Sequence, residues 1–421
     1  MDDGGGAILF RQPLATQAGL EILKRGGNAA AVHGHAVQRA HHSPSMSTEP
    51  MSTGLGGDCF ALYYSSKDGT VQGLNGSGRS PAALTLEKAM EGLPPGATEL
   101  PHTSAHSVTV PGAAAGWEDT IAWFGSGKLS MKEILAPAIA LAEEGQVAGS
   151  GQTTWLILAP DSPEYLHAII EACRLAFADS RWFATDQEHY KTPVREMLSK
   201  DYLDQRASLV DPHRAHVHPL HGTPAKRSDT VYLSVVDGEG NACSFINSVY
   251  DPFGGIVPKG CGFALQCRGA NFSLDPACPN CLAPAKRPYH TIIPAMAIRK
   301  DVEEVICFGV MGGFMQASVP QGHLQVLLHL LHRGWTPQRV LDYPRVCLDP
   351  HTGDVDVEVG IGAATIDALR QRGHTIQLVV GHARKLFGRG QIIITRRDAR
   401  TGKRVLIGGS DMRGDGQVAG W

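Results

Sequence analysis

Two apolar runs joined by a short polar turn constrain the fold of this chain most. Residues 230–237 (Thr-Val-Tyr-Leu-Ser-Val-Val-Asp) and 242–250 (Ala-Cys-Ser-Phe-Ile-Asn-Ser-Val-Tyr) flank a turn rich in glycine and acidic residues. In residues 230–236, Thr, Tyr, Ser and Val alternate with Val, Leu and Val, as residues on the two faces of a half-buried strand do. The residues of the turn tolerate positive φ. A hairpin centred on Glu239 would pair Val236 with Ala242 and Thr230 with Ser248.

Thr230 begins the first run directly after the polar stretch 226–229. A threonine hydroxyl is a weak nucleophile, and one way to activate it is the threonine's own α-amine, freed by cleavage of the preceding bond. We therefore place a candidate cleavage between Asp229 and Thr230, with Ser248 as a neighbour of the hydroxyl. On these local residues alone, an ordinary surface hairpin remains the simpler explanation.

Composition excludes several classes of protein. The chain has 421 residues, 43% hydrophobic and 19% charged, which suits one large or two ordinary globular domains. The net charge of −3 and the absence of a long basic block argue against a partner such as nucleic acid. Residues 1–6 lack the pattern of a signal peptide, and no stretch of roughly 18 apolar residues suggests a membrane span. We expect a cytoplasmic protein.

Metal ligands are not evident in the sequence. The nine cysteines have no regular spacing, and the one close pair, Cys278 and Cys281, lacks a second ligand pair at zinc-finger spacing. Histidines 213, 216, 218 and 221 crowd the segment before Thr230, where a solvated tail is a better explanation than a metal site. We expect no metal and no organic cofactor.

Hydrophobic periodicity predicts both helices and strands. Helices are predicted at 13–25, 135–144, 165–177 and from 320 to about 332, with a buried strand at 302–310. Periodicity alone supports only a mixture of α and β structure.

A series of motifs, in order along most of the chain, resembles the gamma-glutamyltransferase (glutathione hydrolase) family of N-terminal nucleophile hydrolases. The motifs occupy residues 12–19, 54–58, 76–81, 110–112, 116–117, 229–241, 253–255, 286–288, 293–296, 309–313, 387–391 and 408–416.

The resemblance implies an α+β fold, a four-layer αββα sandwich. Residues 1–229 would form the large-chain region and residues 230–421 the small-chain region, which begins with the nucleophile. Together they would make one domain, and the two self-cleaved chains would stay associated. Family members carry a substantial segment between the landmarks at 142–147 and 161–165, so part of the large-chain region is missing here.

The resemblance also assigns roles to particular residues. Thr230 would be the nucleophile in self-cleavage and turnover, with its freed α-amine as the base. Gly312 and Gly313 would form an oxyanion hole, since glycines let backbone N–H groups converge. Arg79 would bind the substrate's α-carboxylate, and Ser248 would orient the nucleophile.

Other pocket positions differ from the glutamyl-transferring branch. Asn271 stands where that branch has an acid, Arg268 replaces a glutamine, and His290 with Thr291 replace paired serines. These changes are similar to those of the acylase-like branch. The sequence thus predicts a self-cleaving amidohydrolase or acyltransferase acting on gamma-glutamyl amides such as glutathione. The alternatives are a catalytically inactive or truncated relative, and an acylase for non-glutamyl carboxylate amides.

Overall fold

The structure is a computed structural model that describes residues 5–10, 13–32, 51–131, 133–134, 162–216, 230–312, 321–349 and 352–420. The strands are β1 (Ala7–Phe10), β2 (Asp58–Ser65), β3 (Thr70–Gly76), β4 (Val231–Val236), β5 (Ala242–Ser248), β6 (Ala295–Arg299), β7 (Glu304–Met311), β8 (Val346–Leu348), β9 (Val355–Glu358), β10 (Ile376–Val379), β11 (Arg389–Arg397), β12 (Arg404–Ser410) and β13 (Gln417–Gly420). The α-helices are α1 (Pro13–Lys24), α2 (Leu86–Met90), α3 (Ala113–Phe124), α4 (Pro163–Phe183), α5 (Val194–Met197), α6 (Lys200–Ala207), α7 (Gln321–Arg333), α8 (Pro337–Asp342) and α9 (Ala363–Gln371).

The predicted hairpin lies at the centre of an antiparallel six-stranded sheet with the order β13-β1-β4-β5-β2-β3. Val236 pairs with Ala242 and Val231 with Asn247, which is the predicted register. The Asp237 carboxylate closes the turn by accepting hydrogen bonds from the backbone N–H groups of Glu239 and Asn241, both at 3.0 Å. Turn chemistry and strand pattern therefore set the same register.

Strand β4 is buried on both faces, so the prediction of a half-buried strand is wrong. Val231, Leu233 and Val235 point into the cluster that contains Trp117 of α3. On the opposite face, Tyr232 packs with Met311 of β7. The alternation in the sequence separates two buried environments, because the strand lies between a helical layer and a second sheet.

These contacts make a four-layer αββα sandwich, which confirms the predicted fold. Helices α1 and α3 cover the six-stranded sheet, and the second sheet, β12-β11-β7-β6, packs on its other face. Helices α7 and α8 cover the outer side of that second sheet. A third sheet, β10-β9-β8, packs against α4 and α9 and was not predicted.

Three of the four predicted helices are present. Helix α1 ends at the glycine pair, where Gly26 has a φ of 91°. Helix α4 is longer than predicted because Ser162 caps its N-terminus, accepting from the N–H of Tyr165, and Pro163 starts the first turn. Helix α7 agrees with the fourth prediction. The predicted helix at 135–144 lies outside the described residues.

The C-terminal motif at 408–416 forms a buried ion network. The Asp411 carboxylate accepts from Arg345 at 2.6 Å, from Arg413 at 2.9 Å and from the N–H of Gly390 at 2.8 Å. Glu358 accepts from Arg413 in turn, at 2.8 Å to its Nε. These partners hold the pKa of Asp411 below its usual range despite burial, which opposes it, so the carboxylate stays ionised. The network joins β8, β9, β11 and β12 beneath the second sheet.

Candidate active site

Thr230, Ser248 and Asp58 form a row across three neighbouring strands. Ser248 pairs with Asp58 across β5 and β2, and Thr230 immediately precedes β4 on the other side of Ser248. The Thr230 hydroxyl donates to Ser248 Oγ at 3.2 Å, as the hairpin register predicts. Thr230 is only 1% exposed, and the other two side chains are fully buried. Asp58 lies two strand spacings, about 10 Å, from Thr230, a span that suits a small acyl group.

Ser248 is held tightly by its surroundings. Its hydroxyl oxygen also accepts from the backbone N–H of Tyr250 at 2.9 Å. Tyr250 has a φ of 79°, which costs a non-glycine residue about 1–3 kcal/mol and is characteristic of functional sites. The loop before β2 approaches so closely that a Cβ on Gly57 would lie 2.5 Å from the Ser248 carbonyl oxygen. Glycine is therefore required at this position.

Gly312 lies at the same end of the sandwich as Thr230. Strand β7 crosses β4 with Gly309 against the Tyr232 ring, where a Cβ would be 2.7 Å from the ring carbons. Residues at the start of β7 instead contact Val236 and Ala242, at the opposite end of the hairpin. Gly312 follows β7 with a φ of 89°, which favours glycine. Gly313 and Asp229 lie outside the described residues.

Asp58 is the acidic centre of the site. Its Oδ1 accepts from the N–H groups of Gly78 at 3.0 Å and Gly112 at 3.2 Å. Its Oδ2 lies 3.2 Å from His290 Nε2 and 3.7 Å from Arg268 Nε. Two loops and two pocket side chains thus converge on one buried carboxylate.

Arg268 is a fully buried cation with unused donors. Its Nη1 donates to Thr291 Oγ1 at 2.7 Å, and its Cζ lies 4.8 Å from the centre of the Tyr250 ring. Its Nε and Nη2 have no hydrogen-bond partner among the described residues. A buried donor without a partner is costly, which makes these two atoms candidates for contact with a bound anion.

His290 is held as the neutral imidazole. Burial, together with the positive charge of Arg268, lowers the pKa of His290 to about 3, although Asp58 opposes the shift. A neutral ring whose Nε2 faces Asp58 donates from that nitrogen. The side chain then orients Asp58 without adding charge to the pocket.

Replacing His290 tests this protonation state. Because the folded pKa lies below the unfolded value of about 6.5, the unfolded state binds more protons at acid pH, and stability falls as pH drops from 6.5 towards 3. His290→Gln keeps an N–H donor but cannot titrate. We expect wild type to lose about 2 kcal/mol more than this variant between pH 7 and pH 5 in urea unfolding. Equal losses in both proteins would contradict a neutral buried His290.

Asn271 is engaged at both ends of its amide. Its Oδ1 accepts from the Tyr250 hydroxyl at 2.7 Å, and its Nδ2 donates to the Tyr289 carbonyl at 3.1 Å. An uncharged side chain in this arrangement offers little to a substrate ammonium group.

Arg79, predicted to bind a carboxylate of the substrate, is paired within the protein. Its guanidinium contacts Asp186 at 3.0 Å, Glu188 and the Ala285 carbonyl oxygen at 2.9 Å. Arg287 joins the same acidic pair through Glu188 at 3.2 Å. The role of Arg79 in substrate binding stays a prediction, and Arg268, beside Asp58, is the arginine whose Nε and Nη2 have no hydrogen-bond partner among the described residues.

A cavity of about 650 Å³ opens beside His290, and its described lining does not include Thr230, Ser248, Asp58 or Arg268. His290 and Phe60 form part of its lining, and their rings meet edge to face with centroids 4.4 Å apart. Phe183, Met197 and Leu198 contribute apolar walls, while Asp186 and Glu188 contribute acidic groups. Such a lining suits an apolar or aromatic part of a ligand.

The sequence motifs contained two site residues without revealing their roles. Asp58 ends the glycine motif at 54–58, and its signal was an acid at the start of an otherwise apolar strand. Tyr250 ends the second apolar run, and nothing in the sequence indicates its positive φ or its position over Arg268.

The layered fold, with a buried threonine at the start of a central strand, is that of the N-terminal nucleophile hydrolases. The chain belongs to the gamma-glutamyltranspeptidase family, whose family model matches residues 15–157 and 152–421. This confirms the resemblance seen in the sequence motifs.

Several relatives are similar over long stretches. A glutathione hydrolase-like proenzyme of Bacillus subtilis, YwrD, is 28% identical over 97% of this chain and 97% of its own length. An oxamate amidohydrolase proenzyme of Klebsiella pneumoniae is 33% identical over 62% of this chain and 48% of its own length. The crystal structure of a cephalosporin acylase from Bacillus halodurans has a TM-score of 0.80 at 32% identity, covering 99% of this chain and 96% of that one. These relatives are thus named as a hydrolase, an amidohydrolase and an acylase, the first two as proenzymes.

The comparison with the Bacillus subtilis protein bears on the segment predicted to be missing. That alignment is 532 residues long, whereas this chain has 421, so the relative carries residues that this chain lacks within the matched region. The two stretches matched by the family model meet at 152–157, between the landmarks where the sequence predicts the gap.

Among the described residues, every helix is too short or too polar to cross a bilayer.

Proposed function

We propose that this protein is a self-cleaving amidohydrolase that uses Thr230 as its nucleophile and acts on amides of a carboxylate-bearing acyl group. The observation that carries the proposal is the Thr230–Ser248 hydrogen bond in the row that leads to Asp58 and Arg268. Residues 1–229 and 230–421 would be the two associated chains of the mature protein.

Self-cleavage would be the first use of the Thr230 hydroxyl. Its oxygen attacks the carbonyl carbon of Asp229, the bond from that carbon to the Thr230 nitrogen breaks, and the nitrogen takes up the hydroxyl proton. Water then hydrolyses the resulting ester, which leaves a carboxylate on Asp229 and a free hydroxyl and α-amine on Thr230. Ser248 would hold the hydroxyl in place, and the N–H of Gly312, at the same end of the sandwich, would stabilise the developing oxyanion.

Turnover would repeat the same chemistry on a bound amide. The α-amine, with an unperturbed pKa of about 7.7–8.0, accepts the hydroxyl proton as the oxygen bonds to the acyl carbon. The amide C–N bond breaks, and the ammonium returns the proton to the leaving amine. Water, or an acceptor amine, then takes the acyl group from Thr230.

The pocket favours an acyl group with a carboxylate and without an ammonium group. Arg268 has two unused donors, which a carboxylate would satisfy as a charge-assisted pair. Tyr250 covers the guanidinium and would have to move for a carboxylate to reach it. The described acids near the site are already paired, Asp58 with Arg268 and the cavity acids Asp186 and Glu188 with Arg79 and Arg287, and Asn271 is neutral.

Gamma-glutamyl amides, glutathione among them, are the second candidate substrates. The observation in their favour is the similarity over nearly the whole chain to a glutathione hydrolase-like proenzyme. Their α-ammonium group would have to rely on Asp58, at the expense of the pairing between Asp58 and Arg268.

Matched anilides separate the two candidates. We expect kcat/KM for a glutaryl anilide to exceed that for the gamma-glutamyl anilide by about tenfold or more, because the two acyl groups differ only by the ammonium group, worth roughly 1.5–3 kcal/mol when left unpaired. A butyryl anilide, which lacks the carboxylate, is the control and should be poorer still. A preference for the gamma-glutamyl compound would overturn the assignment of the acyl class and leave the nucleophile untouched.

The inactive alternative is tested by a denaturing gel of the purified protein. Two bands, with Thr230 as the first residue of the smaller, support a self-cleaving enzyme. A single band that persists on prolonged incubation supports an inactive relative, for which the internal gap provides a reason.

A further inference from the structure

His102, Asp251 and Cys267 come together next to Tyr250 and Arg268 although His102 is far from the other two in sequence. His102 Nδ1 lies 2.7 Å from Asp251 Oδ2, and one potential ligand atom from each of the three side chains lies within 4.8 Å of the others. The sequence predicts no metal site, because its cysteines and histidines lack the regular spacings of known zinc motifs. Here the fold, and not the spacing, brings the donors together.

We propose that these three residues bind a divalent transition metal of the zinc class. One imidazole nitrogen, one carboxylate oxygen and one thiolate sulfur are the ligand types that zinc takes in proteins. Ligand atoms around tetrahedral zinc lie about 3–4 Å apart, given its bond lengths of roughly 2.0–2.3 Å. The group therefore needs His102 and Asp251 to move apart from 2.7 Å and any separation near 4.8 Å to close, both by side-chain shifts of about 1 Å.

The partial exposure of His102 and Asp251 leaves room for a metal ion to enter and for a fourth ligand. The side chains of His102 and Asp251 are 16% and 27% exposed, while Cys267 is fully buried beneath them. Water can complete the coordination on the open side. Charge also fits, since a carboxylate and a thiolate together balance a dication, and the nearby Arg268 is already paired with Asp58.

Gly255 allows the backbone segments that carry His102 and Cys267 to lie close together. A Cβ on Gly255 would lie 2.5 Å from the His102 carbonyl oxygen and 2.9 Å from Cys267 Cβ, so only glycine lets the two segments meet. Ser107 Oγ donates to the same carbonyl at 3.0 Å, which fixes the loop that carries His102. These contacts position two of the ligands independently of any ion.

A second group of potential ligands is less suitable for binding a metal ion. His167, Glu171 and His374 also lie within 4.8 Å of one another, and all are buried. The Arg174 guanidinium, however, lies 3.5 Å from both Glu171 Oε1 and His374 Nδ1 and already compensates the carboxylate. A dication there would be opposed by a buried cation, so we assign that group to ordinary packing.

A metal at the first group would tie together parts of the chain that contribute to the pocket. Cys267 immediately precedes the 3₁₀ turn Arg268–Asn271, while His102 comes from the segment before Thr230. The ion would therefore brace the turn that carries Arg268 against the loop at 102–107. The proposal does not depend on cleavage at Thr230 or on the identity of the substrate.

Cobalt(II) added to the purified protein, whether or not it is cleaved at Thr230, tests the site. We expect one equivalent per chain to bind with a thiolate-to-cobalt charge-transfer absorption. Cys267→Ser should lose that absorption. His102→Gln should weaken cobalt binding by at least about tenfold, since mutating even a residue that only hydrogen-bonds to a metal ligand lowers metal affinity by about that factor. Zinc should raise the thermal unfolding midpoint of wild type but not of Cys267→Ser.

Two cysteine variants serve as matched controls. Cys261→Ser removes an exposed thiol and Cys281→Ser breaks the close cysteine pair, so neither should alter the absorption. Absence of the band in wild type, its survival in Cys267→Ser, or its loss in Cys281→Ser would each overturn the proposal. Because the readouts are spectroscopic and thermal, a protein that fails to hydrolyse amides can still be tested.

Discussion

Thr230→Ala is expected to remain a single chain of 421 residues and to lose amidase activity by about 10⁴-fold or more. The substitution removes the oxygen that would attack both the Asp229 carbonyl and the substrate, while keeping a small side chain at a buried strand start. The measurements are a denaturing gel, sequencing of the new N-terminus and the rate of anilide hydrolysis.

Thr230→Ser is the matched control, because it keeps the hydroxyl and the hydrogen bond to Ser248. It should still cut itself and should retain a measurable part of the activity. Circular dichroism and the unfolding midpoint establish that the alanine variant is folded. Cleavage at 229–230 in a folded Thr230→Ala protein would end the nucleophile assignment, whatever the substrate proves to be.

Arg268→Leu is expected to affect both stability and substrate choice. The variant leaves Asp58 buried without its cation, and breaking a buried ion pair in this way costs about 3–5 kcal/mol. It should also reduce the preference for glutaryl over butyryl anilide by about 10–100-fold, which corresponds to losing a charged contact of roughly 1.5–3 kcal/mol. Urea unfolding and kcat/KM for the two anilides measure the two effects separately.

Two further variants show whether the effects belong to this pair. Asp58→Asn combined with Arg268→Leu should cost less stability than the sum of the single changes, since neither charge is then left alone. Arg397→Leu removes the exposed partner of Glu303, 2.7 Å away, and should change stability by only about 0–1 kcal/mol with no change in substrate preference. An unaltered glutaryl preference in folded Arg268→Leu would remove Arg268 from the binding site.

Local patterns in the sequence were sufficient for the hairpin and the major helices. The turn at 237–241 and the two apolar runs specify a register that places Thr230 opposite Ser248, and the structure has that register. Periodicity and end signals likewise located α1, α4 and α7. These features depend on neighbours in sequence, which is why they could be predicted. The four-layer arrangement could be predicted only from the family resemblance. The two faces of β4 are both buried, so the alternation of its residues does not separate core from solvent.

Contacts between distant residues could not be predicted in the same way. Arg79 was expected to bind substrate, but its partners Asp186 and Glu188 lie more than a hundred positions away in a segment without a recognisable motif. The role of Asp58 follows from its pairing with Ser248 and its contact with Arg268, both of which depend on how strands are ordered. The cluster of His102, Asp251 and Cys267 depends on the same long-range assembly.

The position of β1 has a consequence for when the molecule can assemble. This strand lies between β4 and β13, with Ile8 opposite Val235 on one side and Ala419 on the other. Pairings over such separations close the largest loops in the chain and form slowly. While residues 417–420 are still inside the ribosome, β1 has a partner on one edge only. The sandwich that surrounds Thr230 is therefore expected to close only after residues 417–420 have left the ribosome, well after the hairpin itself has formed.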